Sequence, residues 1–533
     1  MSIIHDFVRR AESSPSSIFC HFYQRGRCTT LTVADVLNEA RRFARHLREL
    51  SVQPGQIVPI ILEHRLQLYT SFIGAILAGA VPTFFSPATR KQDHTLFLAG
   101  LNTLLDRLDP NCVIVSPTTA ALFSQRSCAL IDADMVSTSA SSENFEALPA
   151  PSLHAIAFVQ HSSGTTGHKK GVSLTHEAVL GQVASYSKSI GITDQDVIAS
   201  WLPLYHDMGL ITSFLMPMIL GLPIVSVDAL EWVSSPTILL DKIEKHRATL
   251  CWLPNFAFHH ITRLAHPSRN WDLSSMRLFV NCSEPCRAAA FDIFLKRFGG
   301  CGIRENTLQT SYAMAENVFA VTQTHPADPV RRSRHPAWSG YLSSGMPIEG
   351  VEVKIGDAGE QDGEPAEIVV GGKFLLSEYL RLPEVTSQRL RNGWYHTGDL
   401  GFWEDGEIFV VGRTDDVLNI NGKKLMAHEI EQALNDILGI AAGRNLVWSQ
   451  FDDVSGSTKL FVAAERDFDA AKPDDTLQSE IRMTVFAISE VRPTNVMLLN
   501  RGTLVKSSSG KISRVSSIRK LMQNETSHLG NAQ

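Results

Sequence analysis

The chain is poor in several things that would point to a specialised class. Its 533 residues include only eight cysteines, neither dense nor paired in spacing, which argues against a disulfide scaffold and for reduced thiols. Cys282 and Cys286 stand close together, but no second cysteine or histidine pair at zinc spacing accompanies them, so a metal centre there is not expected. The formal net charge is only −6, too far from basic for a protein that gains affinity by neutralising nucleic-acid phosphates. No solenoid-period repeat or low-complexity tract occurs, and the serine-rich stretch Ser137 to Ser142 reads as a surface loop. The opening stretch MSIIHDFVRRAESSP has charges inside its short apolar part, so a secretory leader is not expected and a cytoplasmic location is. The charge-free run from Met208 to Val227 has about the length of a membrane span. Gly209, Pro217, Gly221 and Pro223 interrupt it, however, and it reads instead as a buried helix over about Gly209 to Leu220 followed by a short strand, Leu222 to Val227.

What is present is a globular composition, 44% hydrophobic and 20% charged, in a chain long enough for two or more domains. Helix-like Leu31 to Leu50, strand-like Ile57 to Leu62, helix-like Gln67 to Ala78 and strand-like Val81 to Phe85 alternate. The alternation resumes at Cys112 to Ser116, Ile198 to Leu202 and Thr249 to Leu253, and predicts α/β layers with buried parallel strands. Past residue 340 the pattern turns to short strands, Val351 to Ile355, Ala366 to Val370 and Gly406 to Val411, with Asp405-Gly406 as a hairpin turn. This predicts an antiparallel, barrel-like subdomain over about 340–412. Residues 413–416 then separate a large domain, 1–412, from a small α+β domain, 417–533, expected to move as a lid.

One loop stands out: Ser162, Ser163, Gly164, Thr165, Thr166, Gly167, His168, Lys169, Lys170 and Gly171 follow the apolar run Ala155 to Val159. Glycines permit tight turns, hydroxyls and backbone N–H groups can surround phosphate oxygens, and lysine supplies charge. The spacing of a Walker loop is missing, so a nucleotide is expected by another route.

Five further stretches occur in order: Trp201 to Leu210, Ser311-Tyr312-Ala313-Met314-Ala315-Glu316, Gly393 to Asp399, Gly412 to Asp416, and Ser509-Gly510-Lys511. With the loop, they resemble the adenylate-forming superfamily, which includes acyl-CoA synthetases, fatty acyl-AMP ligases and the adenylation domains of peptide synthetases. The resemblance implies ATP-dependent conversion of a carboxylate to an acyl-adenylate with loss of pyrophosphate, then transfer to a thiol or amine. It implies that Ser162 to Gly167 and Lys170 hold phosphates, and that Glu316 binds Mg²⁺. Tyr312, flanked by Ser311, Ala313 and Met314, would stack on adenine, with Ser283, Glu284 and Pro285 as the adenine wall. Asp399 would accept from both ribose hydroxyls, Arg413 would contact ribose or phosphate, and Asp415 would be the hinge. Lys511 and His206 are implied as the catalytic residues, Lys511 bridging carboxylate and α-phosphate. Lys169 stands where many members have proline, and Ala427 likewise.

His206-Asp207-Met208-Gly209-Leu210 and Leu253-Pro254-Asn255-Phe256-Ala257-Phe258 resemble the fatty acyl-AMP ligase branch. They imply an apolar acid in a pocket including Met208, Gly209, Asn255 and Phe256. The apolar helix after Met208 could line that pocket or be plain core. Asn317 to Leu342, with its basic run Arg331 to His335, is short for the insertion usual in that branch. Gly422 falls where the family contacts pantetheine. An acyl carrier protein is the expected acceptor, with coenzyme A as the rival. A nucleotide-sensing module without catalysis is the reading of another class.

Overall fold

The computed structural model describes residues 2–88, 94–123, 128–138, 151–161, 170–356, 365–420, 423–452, 457–467, 472–506 and 512–530. Two compact units emerge, one drawn from residues up to 411 and the other chiefly from Gly412 onward.

The large unit contains two mainly parallel sheets, as the alternation predicts. One has nine strands, with Ile18–Gln24, Ile224–Val227, Ile198–Ser200, Leu250–Leu253, Leu278–Asn281 and Leu308–Ala313 running parallel along its centre. The other has seven, with Ile156–His161, Val81–Phe84, Ile57–Ile61, Cys112–Val115 and Ala129–Asp132 parallel. The strands after Ile156–His161 and Leu308–Ala313 turn back antiparallel. Near-continuous apolar runs such as Ile57-Val58-Pro59-Ile60-Ile61 suit strands covered on both faces. Helix Val33–Glu49 begins at a capping box in which the Thr32 side chain accepts from Asp35 N and Asp35 accepts from Thr32 N. Its apolar stripe Val36, Ala40, Phe43, Ala44 and Leu47 is fully buried.

The run predicted as one helix over Gly209 to Leu220 is in three parts. A short α-turn, Asp207–Leu210, passes into a π-turn, Ile211–Leu215, and back to α-helix, Met216–Leu220. Thr212 Oγ1 donates to Met208 O at 2.6 Å, a side-chain bond that competes with the helix ladder, and Pro217 withholds an N–H from the turn before it. Gly221 then closes the helix in the left-handed conformation, as expected. Phe214 lies against Phe19, Tyr69 and Phe72 at 5.0–6.5 Å between ring centres, so past Leu210 this segment is core. Among the described residues no helix is long and apolar enough to cross a membrane.

The antiparallel texture past residue 340 is a five-stranded open sheet, a half-barrel, built from Val351–Ile355, Ala366–Gly372, Leu390–Arg391, Trp394–Glu404 and Glu407–Arg413. Asp405 (φ 51°) and Gly406 (φ 78°) make its hairpin turn, both central residues at positive φ. One strand of this region, Glu378–Tyr379, leaves the half-barrel and pairs instead with Gly171–Thr175 of the seven-stranded sheet. The basic run Arg331 to Arg334 is laid on the hairpin: Arg331 Nε bonds Glu407 at 2.9 Å, Ser333 Oγ donates to Glu404 at 3.0 Å, and Arg334 pairs with Asp405.

The small unit has a sheet of Ile440–Asp452, Ser457–Arg466 and Asn495–Leu499, packed by helices Ala427–Leu434 and Asp474–Ser489. Its strands run longer than predicted, and its closing helix, expected over Val515 to Met522, covers Arg514–Gly530. All eight cysteines are free thiols.

Candidate active site

Two tyrosine–carboxylate pairs organise the large unit's site. Tyr312 is on the strand Leu308–Ala313, and its hydroxyl donates to Asp399 Oδ2 at 2.6 Å, across a sequence gap that brings the half-barrel strand Trp394–Glu404 to the nine-stranded sheet. Asp399 is held by its own N–H donating to Thr397 Oγ1 at 2.9 Å, while Thr397 donates to Ile368 O at 2.7 Å. Burial first, and then the Asp399 charge, push the Tyr312 phenol well above its ordinary value, so it stays a neutral donor. Ser311 directs its hydroxyl to Thr322 O at 2.8 Å, and Met314 is buried at the strand's end, with Ala313 partly buried beside it.

The second pair was not legible in the sequence. Tyr379 donates to Glu316 Oε1 at 2.6 Å and lies 2.7 Å from the Tyr395 hydroxyl, while Lys170 Nζ sits 5.2 Å from the Tyr379 ring centre. Burial and the neighbouring Glu316 carboxylate raise the Tyr379 phenol, keeping it protonated. The strand switch of Glu378–Tyr379 makes this contact possible: pairing with Gly171–Thr175 carries Tyr379 beside Lys170 at the end of the glycine-rich loop. Ser162, Ser163, Gly164, Thr165, Thr166 and Gly167 lie outside the described residues. If Glu316 binds Mg²⁺ as the resemblance implies, Tyr379→Phe is expected to lower kcat/KM for ATP about ten- to a hundredfold and to raise the Mg²⁺ concentration needed for half-maximal rate, since an orienting partner of a metal-binding carboxylate carries about that much. Steady-state kinetics across a Mg²⁺ titration check it; an unchanged Mg²⁺ dependence would make Tyr379 a packing residue only.

Further along the same sheet, Ser283 takes a positive φ of 71°, with Glu284 and Pro285 partly buried after it. Asn255 heads the helix Asn255–Leu264, and its Oδ1 accepts from Asn281 Nδ2 at 2.9 Å and Arg287 N at 3.4 Å. That bridge ties the proposed acid pocket to the proposed adenine wall. Phe256 is 46% exposed and stands 6.2 Å from Trp201 and 6.1 Å from Trp232, two indoles stacked at 3.6 Å. His206 directly precedes the turn Asp207–Leu210, in which Met208 N donates to Asp207 Oδ1 at 2.8 Å. A Cβ on Gly209 would lie 2.3 Å from Pro203 O, so only glycine permits this close passage of two backbones.

In the small unit, Arg413 ends the strand Glu407–Arg413 and Asp415 is exposed in the single turn Thr414–Asp416. Gly422 and Lys511 lie outside the described residues, but the stems around Lys511 are placed: Lys506 bridges Ile512, and Ser513 N donates to Val505 O at 2.8 Å. Sequence reasoning missed Arg514. Its guanidinium bonds Asp416 at 2.8 Å, both oxygens of Glu431 at 2.7 Å, and Val447 O at 2.8 Å. Burial opposes its charge, but Glu431 and Asp416 outweigh burial and hold it protonated. The Lys511 loop as read in the sequence extends to Arg514 but gives it no role; an arginine at its end was the available signal.

Comparison with known proteins bears on these geometries. The family model described as AMP-binding enzyme matches residues 7–380. The chain is 26% identical over 541 residues to the medium-chain-fatty-acid–[acyl-carrier-protein] ligase JamA of Moorena producens, covering 92% of this chain and 90% of that one. It is 26% identical over 565 residues to the long-chain-fatty-acid–AMP ligase FadD32 of Mycolicibacterium smegmatis, covering 91% and 88%. A solved structure of the fatty acyl-adenylate ligases from E. coli and L. pneumophila matches with a TM-score of 0.87 at 22% identity, over 99% of this chain and 98% of that one.

Proposed function

This chain belongs to the AMP-binding enzyme family, and on that premise we propose that it activates an apolar carboxylic acid with ATP and passes the acyl group to the phosphopantetheine thiol of an acyl carrier protein. The observation that carries the reading is the gathering, in one unit, of the Tyr312–Asp399 pair with the Glu316–Tyr379–Lys170 group. In this reading Tyr312 packs on adenine between Ser311, Met314 and the wall of Ser283 to Pro285, and Asp399 accepts from the ribose hydroxyls while keeping its bond from Tyr312. A single carboxylate, Glu316, suits Mg²⁺, which keeps most of its shell for phosphate and water. Among the described residues no cluster of three acidic, histidine or cysteine side chains could hold a metal alone. Bound there, Mg²⁺ would neutralise phosphate charge. Lys170 and the hydroxyls of the glycine-rich loop then retain pyrophosphate as it departs.

The acid's oxygen attacks the α-phosphorus, and the bond from that phosphorus to the bridging oxygen of pyrophosphate breaks. In the second step the thiolate sulfur attacks the acyl carbonyl and AMP leaves, the thiol proton passing to water. Lys511 steadies the charge shared by carboxylate and α-phosphate in the first step. His206 and Asn255 border the acid, whose apolar part lies towards Met208, Gly209 and Phe256. Arg413, Asp415 and Gly422 serve the hinge and the acceptor step.

The name of the JamA relative supports the carrier protein as acceptor. A panel of straight-chain and aromatic carboxylic acids, trapped with hydroxylamine and followed by competition between holo carrier protein and coenzyme A, tests it. We expect thioester on the carrier; thioester on coenzyme A alone would transfer the reading to an acyl-CoA ligase. ATP binding without acid-dependent pyrophosphate release would leave only a nucleotide-sensing module.

A further inference from the structure

The seven-stranded sheet has a reversal of strand order at strands not used above. From Ile57–Ile61 the chain crosses to Val81–Phe84 on one side, then returns past its start to Cys112–Val115 on the other, all parallel. The loops leaving Ile61 and Val115 therefore diverge and open a crevice at the carboxyl ends of two adjacent strands, the place where open α/β sheets hold ligands. A cavity of about 470 Å³ fills it, within the size range of small-molecule pockets, its lining including Arg25, Glu63, His64, Arg65, Thr118 and Asp134.

Its polar groups are built in. Glu63 Oε1 accepts from Ser116 Oγ at 2.9 Å and from Thr118 Oγ1 at 3.0 Å, and Arg65 Nη1 bonds Asp134 Oδ1 at 2.8 Å. The His64 ring is stacked on Phe22 at 4.3 Å between centres and 11° between planes. Three atoms here, Glu63 Oε2, His64 Nε2 and Arg65 Nε, are buried with no hydrogen-bond partner among the described residues, although Glu63 Oε2 lies 3.7 Å from Arg65 Nη2. Buried polar atoms left this way are costly unless something answers them. Burial, only partly offset by Asp228, drives the His64 imidazole down to about 4, so the ring is neutral and one of its nitrogens is an acceptor.

We infer that this crevice is a binding site for a small, uncharged, polyhydroxylated molecule. Two acceptors and one donor without hydrogen-bond partners, fixed side by side, match hydroxyl groups, which give and take hydrogen bonds at once. The two carboxylates, Glu63 and Asp134, and the two guanidiniums, Arg25 and Arg65, balance in the lining, so neither an anion nor an ammonium is favoured by net charge. The guanidiniums of Arg25 and Arg65 disfavour a metal ion, and among the described residues no three acidic, histidine or cysteine side chains converge there to hold one. The crevice's lining residues are none of those assigned to the proposed nucleotide and acid pockets, although the glycine-rich loop follows another strand of the same sheet.

Saturation-transfer NMR of the full chain with D-ribose, D-glucose and myo-inositol tests the inference, with inorganic phosphate and ethylammonium as charged controls. Two variants accompany the wild type: His64→Phe, which keeps the stack on Phe22 but removes the acceptor, and Glu63→Gln. At least one polyol is expected to bind the wild type, with affinity reduced about tenfold in each variant and acid-dependent pyrophosphate release unchanged. If His64→Phe fails to fold, Thr118→Val at the exposed rim reads the same loss. Three outcomes would overturn the inference: no polyol binds, polyol binding survives the substitutions, or phosphate or ethylammonium binds in place of the polyols. A crystal soaked in the three polyols that shows only water in the crevice would overturn it as well.

Discussion

Lys511→Ala is expected to reduce acid-dependent pyrophosphate release about 10²–10³-fold while leaving ATP binding within about twofold of wild type. The reason lies in where charge develops. A carboxylate approaching the α-phosphate brings two anions together, and the charge they share peaks in the transition state. An ammonium fixed against that charge therefore acts on the rate far more than on ground-state binding. Removing a comparable preorganised donor costs about 2.7–4 kcal/mol. The ground-state complex keeps Tyr312, Asp399, Glu316 and Lys170, so nucleotide affinity is retained. Calorimetric ATP titration alongside pyrophosphate release separates the two effects; equal losses in both would make Lys511 a binding residue.

Arg514→Ala is the second large effect, and it acts on stability as well as rate. The guanidinium answers three acceptors at once, the carboxylates of Asp416 and Glu431 and the carbonyl of Val447. Removing it leaves the partly buried Glu431 without its cation, a change that costs about 3–5 kcal/mol when one partner of a fully buried pair is lost and correspondingly less here, where Val447 N still donates to Glu431. The loss falls on the junction between the turn Thr414–Asp416, the helix Ala427–Leu434 and the start of the helix Arg514–Gly530. We therefore expect a lower melting transition together with loss of pyrophosphate release. Arg514→Lys, which keeps a charge but cannot bridge both carboxylates bidentately, should recover part of the stability and little of the rate. Thermal denaturation and single-turnover adenylation, measured on the same samples, distinguish this from a substitution that only unfolds the protein. Arg514→Lys with wild-type rate would show that the guanidinium has no positioning role.

Features set by local chemistry were readable from the chain. The spacing of Val36, Ala40, Phe43, Ala44 and Leu47 announces a helix, Asp405-Gly406 a hairpin, Gly221 a helix stop, and continuous apolar runs a buried parallel strand. What depends on distant partners was not readable. Nothing around Tyr379 marks it as a donor to Glu316, 63 positions away, because the contact arises only when one strand deserts the half-barrel for the neighbouring sheet. The π-turn at Ile211–Leu215 is hidden for a related reason: its apolar residues satisfy an α-helical pattern equally well. The basic run Arg331 to Arg334 shows only as charge until the acidic hairpin Glu404 to Glu407 folds beneath it. In the candidate site, motif order pointed to Tyr312, Glu316 and Asp399, whereas the groups that orient two of them, Tyr379 and Thr397, came from geometry.

The central claim is that this chain forms an acyl-adenylate. Its most direct measurement is exchange of labelled pyrophosphate into ATP, run with each member of the carboxylic-acid panel. Exchange that requires an acid, is strongest for apolar chains, and disappears in Lys511→Ala is the predicted result. Exchange independent of any acid, or none with any acid while ATP still binds, would contradict it.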